Sequence, residues 1–442
     1  MVTEAQPASL GIEHFATQDP YARIASAALR LLFGNAYLRE FGVRLWDGTF
    51  VPAAGPQRFV LGITEPGALR AAFHPPFDLS AGRAFAAGLI VCDGDVETAV
   101  DVLFAALMSL TPLRVLKLMR LLRRLPEVSI PPLREASLHG KLHSRGRDRS
   151  AIGFHYDQPI AFYRAFLGRN MIYSCAYFDD GIETLDAAQS AKLDYILKKL
   201  RLNPGERFLD IGCGWGALVI RAAQQGANAL GITLSRSQYE EAARRIEEAG
   251  VGDRARVELR DYRELAGEYF DKVASVGMFE HVGRARLPEY FNAAYKALRP
   301  GGLFLNHGIA EQSPERKGDT ASRFIERFVF PDGELVPVSY ALLIAERCGF
   351  EVRDVENLRE HYTRTLRAWV RNLEDHRDVA EAAAGEQSYR TWRLYMAGSA
   401  QGFRVGRLGL FQALLSKSRE DGSAEVPRTR RDLYEDAPLS IV

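Results

Sequence analysis

The order of apolar and polar positions divides the chain into two patterns. Up to about Leu125 helices and strands are mixed. Ala22 to Leu38 is apolar at helical spacing and predicts an amphipathic helix, and Val96 to Leu110 predicts another. The short runs Phe59 to Ile63 and Leu89 to Val91, set between Gly and Pro, predict strands. Residues 1–125 therefore predict a small α+β domain. Beyond residue 151 apolar strands alternate with charged helices. Strands are predicted at Arg207 to Ile211, Ala227 to Leu234, Arg256 to Leu259, Asp271 to Val276, Gly302 to Ile309, Phe350 to Val355 and Arg407 to Ser416. Helices are predicted at Asp186 to Leu200, Arg236 to Ala249, Leu287 to Leu298 and Tyr340 to Cys348, with a helical insertion over about Thr363 to Ala400. Such alternation predicts an α/β fold, a parallel sheet with helices on both faces, over residues 151–418. Residues 126–150 read as a basic linker, and the charged, Pro-containing stretch 419–442 reads as a flexible tail.

Composition narrows the function classes. The 442 residues carry a net charge of +1, so overall charge points to neither nucleic acid nor an acidic substrate. The four cysteines have no metal-ligand spacing, which predicts a reducing cytoplasm and neither a disulfide framework nor a metal site. No basic start followed by an apolar run marks a signal peptide, and the longest apolar run, Val102 to Leu110, is too short to span a bilayer. One local bias stands out. From Thr111 to Ser150 there are ten Lys or Arg and three acids. At its start, Arg114, Lys117, Arg120, Arg123 and Arg124 recur among leucines at helical spacing. A solvated helix and linker would look like this. So would a surface that docks on an anionic membrane, where each cation contributes ~1 kcal/mol before screening.

The densest chemistry lies in RFLDIGCGWG, Arg207 to Gly216. An apolar strand runs into glycines at alternate positions, which let backbone approach a ligand, and a helix N-terminus follows. With Asp210 ahead of the glycines, the stretch resembles the S-adenosylmethionine-binding motif of the seven-stranded Rossmann-like methyltransferases. Further segments resemble the cyclopropane-fatty-acyl-phospholipid synthases and mycolic acid cyclopropane synthases. These are HYDQPIAFYRAFLGRNMIYSCAYF from His155, GITLSRSQ from Gly231, SVGMFEHVG from Ser275, LFLNHGI from Leu303 and HYTRTLRAW from His361. GRAFAAG, Gly82 to Gly88, is a weaker echo in the first domain, with Arg83 and Ala87 where acids are expected.

The resemblance implies an enzyme that moves the methyl of S-adenosylmethionine onto the cis double bond of a phospholipid acyl chain and closes a cyclopropane ring. A double bond is a weak nucleophile, so it needs a sulfonium methyl as its partner. The cation that follows must be kept from water, and a base must remove a proton from the new methyl. In the family that base is a bound bicarbonate ion. Carried over residue by residue, its cage would be Cys175, Glu280, His307, Ile309 and Tyr362, with Cys175 and Ile309 giving mainly backbone groups. For the cofactor, Gly212, Cys213 and Gly214 would meet the methionine part, behind Asp210. Thr233 and Gln238 would take the ribose, Arg260, Asp261 and Tyr262 would lie by the adenine, and Tyr173 and Ser174 would cover the methionine end. Aromatic residues such as Phe162, Phe166, Trp369 and Phe403 are candidates for an acyl groove, although such stripes also build ordinary cores. The same scaffold hosts enzymes that leave a methyl or methylene branch. A lipid-binding relative without catalysis and a methyltransferase for small soluble substrates are further readings. The implied setting is the cytoplasmic face of a membrane, with a homodimer as an expectation.

Overall fold

The computed structural model describes residues 18–265, 267–311 and 322–434. They form two compact units that divide between Pro132 and Leu133. In the first unit, β1 (Phe41–Arg44), β2 (Phe50–Val51), β3 (Phe59–Ile63) and β4 (Ile90–Gly94) form a sheet in the order β2-β1-β3-β4. The helix Pro20–Phe33 begins where the Asp19 carboxylate accepts from Tyr21 N at 2.7 Å. It packs against the helices Val96–Met108 and Pro112–Leu122. The latter buries Leu118 and Leu122 and leaves Leu113, Leu116, Lys117 and Arg120 exposed.

The second unit is a seven-stranded sheet. Its strands are β5 (Arg207–Ile211), β6 (Asn228–Thr233), β7 (Ala255–Leu259), β8 (Phe270–Val276), β9 (Leu298–Glu311), β10 (Glu351–Asn357) and β11 (Leu408–Ser416). The order is β10-β11-β9-β8-β5-β6-β7. Side chains of β5 alternate between two cores, as strand geometry requires. Leu209 and Ile211 pack with the helices Leu287–Ala297 and Val338–Arg347, and Phe208 packs with Leu185–Leu200 and Ala217–Gln224.

One strand departs from the all-parallel expectation. β11 is antiparallel to both neighbours, β9 and β10. The helices Arg359–Asp375 and Arg377–Arg404 explain it. They leave the sheet at the end of β10 and return to the same end, where Leu358 N donates to Leu410 O at 2.8 Å. A connection that starts and ends at one edge of a sheet joins antiparallel strands. The second of these helices is broken at Gly385, whose φ is 81°.

Two segment boundaries also differ from expectation. Residues 145–150, assigned to the linker, begin the helix Arg145–Tyr156 of the second unit. Arg147 there grips Asp332 with two bonds, at 2.6 and 2.8 Å, and Arg145 pairs with Glu264 at 3.3 Å. The second half of the basic tract is thus partly neutralised within its own unit. Residues 419–434, assigned to a flexible tail, are tied to the sheet, because buried cations need acids. Glu425 accepts from Lys272 and Arg299 at 2.8 Å each, and Asp432 pairs with the buried Arg201 at 3.0 Å. The remainder of that stretch, 435–442, lies outside the described residues.

Candidate active site

The order of strands reverses between β5 and β8, and ligands of open α/β sheets bind beyond the strand ends at that point. The glycine turn after β5 is built there. Gly212 N and Cys213 N both donate to Ile232 O of β6, at 2.9 and 3.0 Å. Gly212 has φ +81°, and a Cβ on it would stand 2.9 Å from Met278 Cβ. Gly231 of β6 is as constrained, since its Cβ would meet Cys213 at 2.8 Å. These glycines are required by close approach, and the turn frames a cavity.

The cavity is lined by Tyr173, Ser174, Asp210, Gly212, Cys213, Gly214, Thr233, Gln238, Arg260 and Tyr262. Asp261 does not line it. Its carboxylate is committed to Arg263, at 2.8 and 2.6 Å, and it is Arg263 that faces the cavity. Thr233 also works differently from expectation. Its hydroxyl donates to Gln238 Oε1 at 2.8 Å and accepts from Ser235 N at 3.2 Å, so it orients the Gln238 amide.

Lining groups that the sequence reading did not single out include, besides Arg263, Lys192, Trp215 and His281. Lys192 is buried on the helix Leu185–Leu200, and its Nζ donates to Ser174 Oγ at 2.9 Å. Burial pushes its pKa down to about 8, against the pull of Cys175 and Asp210. Burial raises Asp210 to about 7, partly countered by Lys192, and one oxygen of Asp210 has no partner in the protein. Lys192 and Lys199 stand seven residues apart in a mostly apolar stretch, and that spacing placed both cations on the helix's inward stripe.

Beyond β8, a short turn over Phe279–His281 carries Glu280. Its Oε1 accepts from Ile309 N of β9 at 2.6 Å, and its Oε2 is buried without a partner. Burial raises its pKa to about 7, although the Ile309 bond opposes this. Ile309, expected to offer backbone groups to an anion, gives its N–H to Glu280, because a buried carboxylate needs a donor. Tyr362 lies near the start of the helix Arg359–Asp375, packed on Phe403 and Trp369. Burial raises the phenols of Tyr156, Tyr362 and Tyr395, and the Glu280 carboxylate raises each further. Cys175 adds to the shift of Tyr362, so these groups share one neighbourhood. The Cys175 thiol donates to Ala176 O at 3.2 Å, and burial pushes its pKa up. An unreactive thiol leaves only backbone for Cys175 to offer.

His307 lies on β9 two residues before Ile309, hence on the same face. It is buried, its Nδ1 lies 3.1 Å from Gln412 Nε2, and its Nε2 has no protein partner. Burial, then Lys192 and Lys199, hold its pKa well below the ordinary value.

The aromatic candidates for a groove are packed on one another. Phe162 and Phe166 meet Trp392 at 5.5 and 5.6 Å between ring centroids, and Phe166 meets Trp369 at 6.2 Å. Phe166, Trp369 and Trp392 also pack on Tyr173, which lines the cavity.

The profile of the family described as mycolic acid cyclopropane synthetase matches residues 143–413. A probable fatty acid methyltransferase of Pseudomonas putida is 40% identical over 400 residues, covering 89% of this chain and 95% of its own. The tuberculostearic acid methyltransferase UfaA1 of Mycobacterium tuberculosis is 34% identical and covers 88% and 91%. The crystal structure of the mycolic acid cyclopropane synthase CmaA1 complexed with SAH and CTAB is 33% identical with a TM-score of 0.57. It covers 60% of this chain and 97% of its own.

Proposed function

The chain belongs to the mycolic acid cyclopropane synthetase family of S-adenosylmethionine-dependent methyltransferases, and from that membership we propose that it converts the cis double bond of a phospholipid acyl chain into a cyclopropane ring. The observation that carries the reading is Glu280, a fully enclosed carboxylate with one oxygen engaged and the other free. A buried carboxylate without a second partner is costly. It is accounted for if an oxyacid is its missing partner, and the unpartnered His307 Nε2 is a second buried group that such a ligand would satisfy.

The residues present fit both small molecules. Lys192 with Ser174 can hold the methionine carboxylate, and the free oxygen of Asp210 can accept from its ammonium group. Glu280, His307 and Tyr362 can hold bicarbonate. S-adenosylmethionine, when bound, supplies an electrophilic methyl whose leaving group is a neutral thioether, and bicarbonate, when bound, supplies a base of modest strength. Glu280 orients the anion. Tyr362 and Tyr395 stay protonated near neutrality, because burial holds their pKa values up, so they remain donors and polar walls. Closely packed aromatic rings exclude water from the cation, and their faces stabilise it. The double bond gains the methyl carbon, the adjacent carbon takes the positive charge, and closing the ring releases one proton from the new methyl.

The first unit is proposed to dock on the inner face of an anionic membrane. Leu113, Leu116 and Met108 are exposed there beside Lys117, Arg120, Arg123 and Arg124. A second reading, methyl branching of the same kind of chain, is favoured by the likeness to UfaA1, which extends over both units. Mass analysis of lipids from a host that expresses the protein tests the proposal. Unsaturated phospholipids should gain one CH2 per double bond. An unchanged lipid profile beside soluble, cofactor-loaded protein contradicts it, and ring-proton NMR signals separate the two products.

A further inference from the structure

We infer that Lys199 and Gln412 hold His307 as the tautomer protonated on Nε2, so that its ring offers the site a hydrogen-bond donor and takes an anionic oxygen, rather than serving as a base. The identity of that anion rests on the reading above; the tautomer does not.

Strand register sets up the arrangement. Glu356 of β10 lies opposite Gln412 of β11, and Gln412 lies opposite His307 of β9. Residues directly opposite in a sheet share a face, so the three form one row. Lys199, buried on the helix Leu185–Leu200, reaches this row and forms an ion pair with Glu356. Its Nζ also lies 2.8 Å from the amide oxygen of Gln412. A lysine ammonium has donors only. The amide atom facing it must therefore be oxygen, and the other end of the amide, 3.1 Å from His307 Nδ1, must be nitrogen. That nitrogen donates, so Nδ1 must present a lone pair. A neutral imidazole whose Nδ1 accepts carries its proton on Nε2. The ring is neutral because burial and the two lysines hold its pKa well below the ordinary value. Nε2–H is then a buried donor without a protein acceptor, which is costly unless a ligand supplies one.

Lys199 and Gln412 touch no reacting atom. They are positioning residues, and the row explains why a buried lysine stands where an apolar side chain would pack as well. The amide is held at one end, so it cannot rotate and offer its oxygen to the ring.

Nitrogen-15 NMR of the full-length protein with labelled histidine tests this. The His307 signals are identified by their loss in His307→Gln. The expected ring has an unprotonated Nδ1 and a protonated Nε2. In Gln412→Glu the carboxylate can only accept, so the proton should move to Nδ1. Turnover should fall at least about tenfold, as for other groups that orient a ligand's contacts, while cofactor affinity by calorimetry is unchanged. Lys199→Met frees the amide, and both tautomers should then appear. A wild-type ring protonated on Nδ1 overturns the inference, as does an unaltered spectrum in both variants. The predicted tautomers together with unmodified lipids would defeat the functional reading and leave this one standing.

Discussion

Glu280 shows how a single side chain links stability to chemistry. Its pKa is raised from 4.5 to about 7 by burial, so between those values the folded protein holds a proton that the unfolded chain has lost. Stability is therefore greatest below the lower value, falls as pH rises toward the upper one, and is flat above it. The cost when ionised is on the order of 3 kcal/mol. Glu280→Gln should gain up to that amount over the wild type in denaturant unfolding at pH 8 and little at pH 4. It should also bind S-adenosylmethionine normally and lose most turnover. Equal pH profiles of stability would place Glu280 in contact with water, and undiminished turnover would remove it from the site. The residue was legible in MFEHVG, but the use of the Ile309 N–H was not. A backbone donor on the neighbouring strand, far along the chain, has no signature in residue order. The pairing of the Asp261 carboxylate with Arg263 was hidden for a related reason: a carboxylate after a strand looks the same whether it faces a ligand or an arginine.

At the scale of elements, the helix Leu185–Leu200 does more than support β5. Lys192 and Lys199, both buried, point one cation at the cofactor cavity and one at the His307 row. Lys192 is held at about 8 by burial, below its unfolded value. Its charged form therefore destabilises the fold, increasingly as pH falls through that range. Lys192→Met should leave the cofactor-free protein as stable as the wild type at pH 7, or more so, while weakening S-adenosylmethionine binding at least about tenfold, the worth of one charge-assisted bond. Calorimetry beside thermal unfolding checks both halves; unchanged affinity would end the carboxylate role. Most strands were readable within a residue or two, because parallel strands buried on both faces are continuous apolar runs. The reversed direction of β11 was not. Direction depends on where the chain re-enters the sheet, and the two helices that decide it carry no mark of their path. The order of residues 419–434 was hidden likewise, since Glu425 and Asp432 read as solvated charges until Lys272 and Arg201 are seen buried.

For the molecule as a whole, the proposed function assigns docking to the first unit and chemistry to the second. Arg120→Glu with Arg124→Glu should lower affinity for anionic vesicles on the order of tenfold or more at low salt, given about 1 kcal/mol per cation, and leave cofactor binding intact. Unaltered vesicle binding would separate the basic helix from any membrane role. Ring closure is reported most directly by isotopes. The purified full-length protein is given S-adenosylmethionine bearing a CD3 group and vesicles of a cis-unsaturated anionic phospholipid, and the acyl product is analysed by mass spectrometry and NMR. The expected product has a ring carbon that carries two deuterons, the third having been lost as the ring closed. A product that retains all three deuterons in an open methyl branch, or an acyl chain with no deuterium, would contradict ring closure.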